Sequence, residues 1–170
     1  MNYTIIEDNL LSKNQCQSIV NYYSNLTKKV PDNFSYVGYN FSDINHQSKY
    51  YKDLIQASIA LYNKYDLKFS DIKFLDKHIL NHFVFKHFEP GKNFNNWHIE
   101  HSSQYPNRVL NITFYLSDHN VGTEFYDGTV IKSVAGRGVI TPCSFTHTHR
   151  GQKCDLNLNR YIVTGYFNYV

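Results

Sequence analysis

The sequence predicts a mainly β fold preceded by N-terminal helices, and three observations predict it. Up to about residue 66 the apolar residues recur at helical spacing, first at Cys16, Ile19, Val20 and Tyr23 and then at Tyr51, Leu54, Ile55, Ile59 and Tyr62. After Asp66 that spacing gives way to short runs rich in Val, Ile, Phe, Tyr and Thr, the residues that suit a pleated, half-buried surface. Turn signals such as Glu89-Pro90-Gly91, Tyr105-Pro106-Asn107 and Asp127-Gly128 separate those runs.

Taken in order, Tyr3 to Ile6 reads as a short strand, and Ser12-Lys13-Asn14-Gln15 is a capping box that opens the first helix. Pro31 to Gln47 is polar and too long for a tight turn, a loop of the kind that often covers a site. A second helix is expected from about Ser48 to Lys64. Eight strands follow, near 79–88, 94–99, 108–117, 123–126, 129–134, 137–141, 145–150 and 160–169. Eight short strands behind a helical section predict a double-sheet jelly roll with helices buttressing one sheet. The 170 residues make one domain with a core of its own, 1–66 supplying the N-terminal strand and supporting helices and 67–170 the jelly-roll core.

Composition excludes more than it assigns. A net charge of +3, dispersed along the chain, does not argue for a nucleic-acid or membrane surface. Cys16, Cys143 and Cys154 are an odd number without a CxxC pair or metal spacing, which reads as reduced thiols in a cytoplasmic protein. The first residues lack a basic segment followed by an apolar one, and no apolar run approaches the ~18 residues of a membrane span.

The chemistry lies in three stretches. On a strand, residues two apart face the same way, so His98 and Glu100 can ligate one metal while Ile99 packs. Alone this spacing is weak, because His87-Phe88-Glu89 shares it just before a Pro-Gly turn. A third ligand about fifty residues on strengthens it: His149, or His147, which on one strand would face the same way. His149 is preferred because Arg150-Gly151 marks a strand-to-loop transition, and His147 then serves as a hydrogen-bonding neighbour. His82, His101 and His119 read as surface or packing residues. Two imidazoles and one carboxylate occupy one face of an octahedral Fe(II) and leave the other open to a chelating cosubstrate and oxygen. Arg160 begins an alternation with Ile162, Thr164 and Tyr166 on one face, and a guanidinium inside a barrel is costly without an anion. It offers a planar fork to a carboxylate such as the distal acid group of 2-oxoglutarate; the plain alternative is an ion pair with Glu124 or Asp155. Tyr115 either adds a phenolic donor to that carboxylate or is a core aromatic.

From Phe83 to the C-terminus the chain resembles the prolyl 4-hydroxylase-like branch of the Fe(II)/2-oxoglutarate-dependent dioxygenases. The likeness rests on Phe88-Glu89-Pro90-Gly91 leading into Trp97-His98-Ile99-Glu100, Asn107-Arg108-Val109 with Tyr115-Leu116-Ser117-Asp118, Gly122-Thr123-Glu124-Phe125, Gly136-Arg137-Gly138 with Pro142, His149-Arg150-Gly151, and Arg160-Tyr161. The resemblance implies a double-stranded β-helix, or cupin-like jelly roll. It implies metal ligands at His98, Glu100 and His149, a 2-oxoglutarate anchor at Arg160, and a pocket wall that includes Tyr115 and Thr164. Fe(II), 2-oxoglutarate and O2, with ascorbate as an optional reductant, would hydroxylate a substrate C–H bond and release succinate and CO2. Peptidyl proline is the first substrate class by analogy; a free amino acid or other small molecule is the second, and a non-catalytic jelly-roll binding module is the third reading. No nucleic-acid substrate is expected, because Tyr166 stands where the demethylase branch carries a second arginine. The chain departs from the pattern at Glu100, usually Asp, at Phe88, often Tyr, and at Asn111, commonly Thr. A carboxylate at position 100 argues against a halogenase.

Overall fold

The computed structural model describes residues 2–29, 39–153 and 157–170. Among these residues the chain forms strand β1 (Ile5–Glu7), helix α1 (Lys13–Tyr23), β2 (Lys28–Lys29), β3 (Asn40–Ile44), helix α2 (Tyr51–Lys68), β4 (His78–Phe88), β5 (Arg108–Tyr115), β6 (Gly122–Phe125), β7 (Val130–Lys132), β8 (Gly138–Pro142), β9 (His149–Gly151) and β10 (Arg160–Tyr169). Seven strands make one antiparallel sheet in the order β1-β8-β5-β10-β4-β3-β2, and a second, smaller sheet runs β7-β6-β9. Two sheets with helices on the outer face of one are the jelly roll that the sequence predicts.

Local chemistry explains where the helices begin. Ser12 Oγ accepts the Gln15 backbone N–H, and Gln15 Oε1 accepts the Ser12 backbone N–H, so both halves of the capping box form. Helix α1 buries Cys16, Ile19, Val20 and Tyr23, the face its spacing predicts. Helix α2 starts at Tyr51 rather than Ser48 and continues to Lys68. Its buried stripe is Leu54, Ala57, Ser58, Leu61 and Tyr65, while Ile59, expected on the apolar face, is 55% exposed. The small Ala57 and Ser58 face the sheet and let the helix approach it. Ser58 satisfies its hydroxyl by donating to the Leu54 carbonyl at 2.7 Å.

Three expected elements differ. Within the anticipated 31–47 loop, residues 31–38 lie outside the described residues, and Asn40–Ile44 is β3, which pairs with β4 from Asn40↔His87 to Ile44↔Phe83. The 94–99 segment is not a ladder strand. It meets β9 at two points, where Phe94 O accepts the Gly151 N–H and where His98 and His149 exchange backbone hydrogen bonds as an isolated bridge. The 145–150 strand is split, because Phe145–His147 closes a 3-10 turn before β9 begins at His149.

Strand alternation divides the large sheet into two faces. Phe83, Phe85, Ile112, Phe114, Ile140 and Val163 point toward the helices, where they join Ile19, Tyr23, Leu54 and Leu61 in the main core. The opposite face carries Lys86 and Phe88 on β4, Asn111, Thr113 and Tyr115 on β5, and Arg160, Ile162 and Thr164 on β10. That face and the small sheet enclose a cavity, sealed at one side by the cluster Tyr115, Phe125, Ile131 and Val139. The helices therefore brace one side of the sheet, and polar side chains gather on the other.

Candidate metal centre

The backbone bridge between His98 and His149 creates the centre. Directly opposed residues of an antiparallel pair project to the same side, and here the two rings lie 4.4 Å apart between centroids. Glu100, two residues along, brings Oε1 to 3.6 Å from His98 Nε2 and 3.6 Å from His149 Nε2. Ligand atoms of His98, Glu100 and His149 all lie within 4.8 Å of one another, close enough for one ion to draw them together.

Hydrogen bonds orient each donor. His98 Nδ1 donates to the Asn96 carbonyl at 2.8 Å, and His149 Nδ1 donates to the His147 carbonyl at 2.9 Å. A carbonyl only accepts, so each Nδ1 carries a proton and each ring presents its Nε2 to Glu100, the nitrogen left for a metal. Arg108 Nη1 donates to Glu100 Oε2 at 3.1 Å, which leaves Oε1 on the side of the imidazoles. The Arg108 guanidinium is held between the rings of Tyr105, at 3.7 Å, and Tyr166, at 3.6 Å. Burial by itself would raise the Glu100 pKa, but the hydrogen bonds of His149 and His98 and the charges of Lys86 and His149 outweigh it and hold the carboxyl well below its usual range. The Tyr166 phenol is pushed well above its ordinary value by burial, followed by the negative charge of Glu100.

Beside this cluster the inner face offers a place for an anion. Arg160 is 2% exposed; its Nη1 donates to the Gly122 carbonyl at 3.0 Å and its guanidinium lies 4.7 Å over the Phe88 ring. Of the two ion-pair partners considered for it, Glu124 is bonded instead to Arg150 at 2.9 Å, and Asp155 lies outside the described residues. Tyr115 shares a 2.7 Å hydrogen bond with Thr123, and burial raises its phenol pKa against the lowering effects of Thr123 and the Arg160 charge. Two buried polar atoms on this wall, Thr164 Oγ1 and Asn111 Nδ2, have no hydrogen-bond partner among the described residues. Buried donors are seldom left unsatisfied, so a polar ligand in this cavity fits the wall.

His98, Glu100, His149, Arg160, Tyr115 and Thr164 thus line one cavity. His147 does not join them. The 3-10 turn rotates it away from His149, and its ring bonds to the Asn2 carbonyl at 2.8 Å and to Thr146 Oγ1 at 2.9 Å, tying down the N-terminal segment. His101 Nδ1 donates to the Arg108 carbonyl, and His119 is buried. Sequence reading missed Arg108 and Lys86 as members of the site. Lys86 could have been found, since a lysine in phase with Phe88 on an aromatic strand faces inward; Arg108 could not, because only the return of β5 brings it to Glu100.

No family model matches the chain, and no curated protein matches it in sequence. Solved structures do match. A viral collagen prolyl hydroxylase from Paramecium Bursaria Chlorella virus-1, in a 2OG complex, is 15% identical with a TM-score of 0.70, covering 99% of this chain and 97% of that one. A Pseudomonas putida prolyl-4-hydroxylase is 16% identical with a TM-score of 0.71 over 98% and 92% of the two chains. A prolyl hydroxylase from Trichoplax adhaerens, in complex with a hypoxia inducible factor oxygen degradation domain peptide fragment, is 14% identical with a TM-score of 0.74 over 99% and 84%. The chain therefore has the jelly-roll fold of these hydroxylases over essentially its whole length.

Proposed function

We propose that the protein is an Fe(II)- and 2-oxoglutarate-dependent dioxygenase that hydroxylates a substrate C–H bond, with peptidyl proline as the first substrate class to test. The observation that carries this reading is the convergence of His98, Glu100 and His149 in the same cavity as the buried Arg160. Fe(II) suits a donor set of two neutral imidazoles and one ionised carboxylate. With 2-oxoglutarate and O2, it supplies the oxidising chemistry that ends in hydroxylated product, succinate and CO2.

This chain's residues bind and orient. The Nδ1 hydrogen bonds of His98 and His149 fix both rings, and Arg108 fixes the Glu100 carboxylate. Arg160 would take the distal carboxylate of 2-oxoglutarate, with Thr164 and Asn111 as hydrogen-bonding wall and Tyr115, locked to Thr123, as its floor. Phe88, Phe125 and Ile162 add apolar lining to the same cavity. A peptide substrate gains support from the fold shared with the Trichoplax and chlorella virus hydroxylases. Among the described residues no helix is long and apolar enough to cross a membrane. Free, buried thiols at Cys16 and Cys143 favour a reducing compartment, and we place the protein in the cytoplasm on that ground.

The test is succinate formation from 2-oxoglutarate by anaerobically Fe(II)-reconstituted protein exposed to oxygen, with ascorbate present. Wild type is compared with Glu100→Ala and Arg160→Ala, without and then with proline-rich peptides. Turnover that requires both residues and rises with peptide is expected. Failure of wild type to bind either Fe(II) or 2-oxoglutarate would end this reading.

A further inference from the structure

Lys86 is not used by the function just proposed. Its position is dictated by register: Lys86 pairs with Ile162, which lies between Arg160 and Thr164 on the inner face of β10, so the lysine projects into the cavity. Its ammonium lies 5.2 Å over the Tyr39 ring, and among the described residues it makes no ion pair or hydrogen bond. Glu100 offers it a charge interaction but no contact: Oε2 accepts from Arg108 and Oε1 faces the two imidazoles. A half-buried ammonium with no anion in contact is costly, and burial accordingly depresses its pKa, with the Glu100 charge only partly offsetting the effect.

The two cations of the cavity occupy separate places. Arg160 stacks on Phe88, Phe88 packs against Tyr39 at 5.3 Å between ring centroids, and Lys86 lies on Tyr39. Each cation thus lies over its own ring, the guanidinium over Phe88 and the ammonium over Tyr39. If Arg160 takes the distal acid group of the cosubstrate, Lys86 is left for a second anion beside Tyr39. Tyr39 also faces Phe94, which packs on the His98 ring at 4.2 Å, so this second place borders the metal centre.

We propose that Lys86 receives a carboxylate of the primary substrate, so that the enzyme acts on a carboxylate-bearing compound. The inference rests on the oxygenase reading and narrows its substrate class. The carboxylate belongs either to a free amino acid or to an acidic side chain of a peptide, and the experiment separates the two sources.

Trp97, the single tryptophan, adjoins His98, so its fluorescence reports binding at the centre. Anaerobic protein saturated with Fe(II) and 2-oxoglutarate is titrated with matched pairs of probes. One pair is L-proline and L-prolinamide; the other is an acetylated, C-amidated proline tripeptide containing Asp and the same peptide with Asn. Wild type is expected to bind the carboxylate member of one pair about tenfold or more tightly than its amide, the effect of a charge-assisted hydrogen bond. Discrimination in the first pair identifies a small-molecule substrate, and in the second an acidic peptide. Lys86→Met should abolish the preference and leave 2-oxoglutarate affinity within about twofold of wild type, because Arg160 is untouched. Lys86→Arg, which keeps the charge, should retain the preference and controls for misfolding. The proposal is overturned by equal binding within both pairs, by a preference that survives in Lys86→Met, or by a loss of 2-oxoglutarate affinity in that variant. Repeating the paired titration on metal-free protein separates the two ideas: absent iron or 2-oxoglutarate binding counts against the oxygenase, whereas the carboxylate preference is read regardless.

Discussion

Replacing Arg108 with methionine should cost the metal-free protein far more than the loss of a surface ion pair. The Arg108 and Glu100 side chains are only 17% and 11% exposed, and their 3.1 Å contact supplies Glu100 Oε2 with its donor. Removing one member of a buried pair typically costs about 3–5 kcal/mol, because the remaining charge stays desolvated. The lower end applies to this term, since His98 and His149 remain beside Oε1. Loss of the guanidinium from between Tyr105 and Tyr166 adds about 0.5–1 kcal/mol per ring. A total of about 4 kcal/mol corresponds to a Tm lowered by about 8–16 °C in a chain of this size. The assay is thermal unfolding of metal-free Arg108→Met, Glu100→Gln and the double variant at neutral pH. Because a carboxamide needs no counter-charge, the double variant should recover about 2 kcal/mol relative to the sum of the singles. A single-variant cost under about 1 kcal/mol, the range of exposed pairs, or strict additivity would refute the reasoning. The same set predicts a pH signature. Glu100 has a folded-state pKa below its unfolded value, so its contribution is present above about pH 4.3 and is lost as pH falls from there through the folded value. Glu100→Gln should flatten the stability profile in that acid window.

Three further outcomes are expected. His149→Ala should abolish stoichiometric Fe(II) binding, measured by metal analysis after anaerobic gel filtration, while His147→Ala should retain it and instead lower Tm through loss of the bonds to Asn2 and Thr146. Gly122→Ala should lower Tm by about 6–12 °C, from roughly 3 kcal/mol of overpacking, because its Cβ would lie 1.9 Å from the Ile131 carbonyl oxygen. Since Gly122 O also holds Arg160, 2-oxoglutarate affinity measured by calorimetry should fall in the same variant. Cys16, whose buried thiol is pushed up to about 11, and Cys143, raised further by burial, should resist iodoacetamide in the folded protein at pH 8 and react on unfolding, as read by mass spectrometry.

Elements governed by local rules were legible and those governed by partners were not. The capping box at Ser12 and the α1 stripe follow from spacings within one helix turn or two, and both form as read. Strand β10 shows its alternation, so Arg160, Ile162 and Thr164 could be assigned to one face before any fold was known. The polar sequence of β3 carries no such pattern; it is a strand because β4 offers it a free edge. The reverse holds at 94–99, whose composition suits a strand but whose only attachments to β9 are at Phe94 and His98. Ile59 misleads because hydrophobicity ranks it above Ala57 and Ser58, while close packing against a sheet prefers the smaller pair.

The sequence by itself determined the fold class, the inward phase of β10 and the small set of His, Glu and Arg residues from which a metal centre could be drawn, because strand period and residue chemistry are local properties. Only the tertiary structure separated His149 from His147. One lies in a backbone bridge with His98 and the other in a turn that faces Asn2, a difference created by hydrogen bonds to distant segments. It also joined Arg108 to Glu100 and left Lys86 facing the cavity beside Tyr39, since the counter-charge of a buried group is chosen by three-dimensional proximity rather than by separation along the chain.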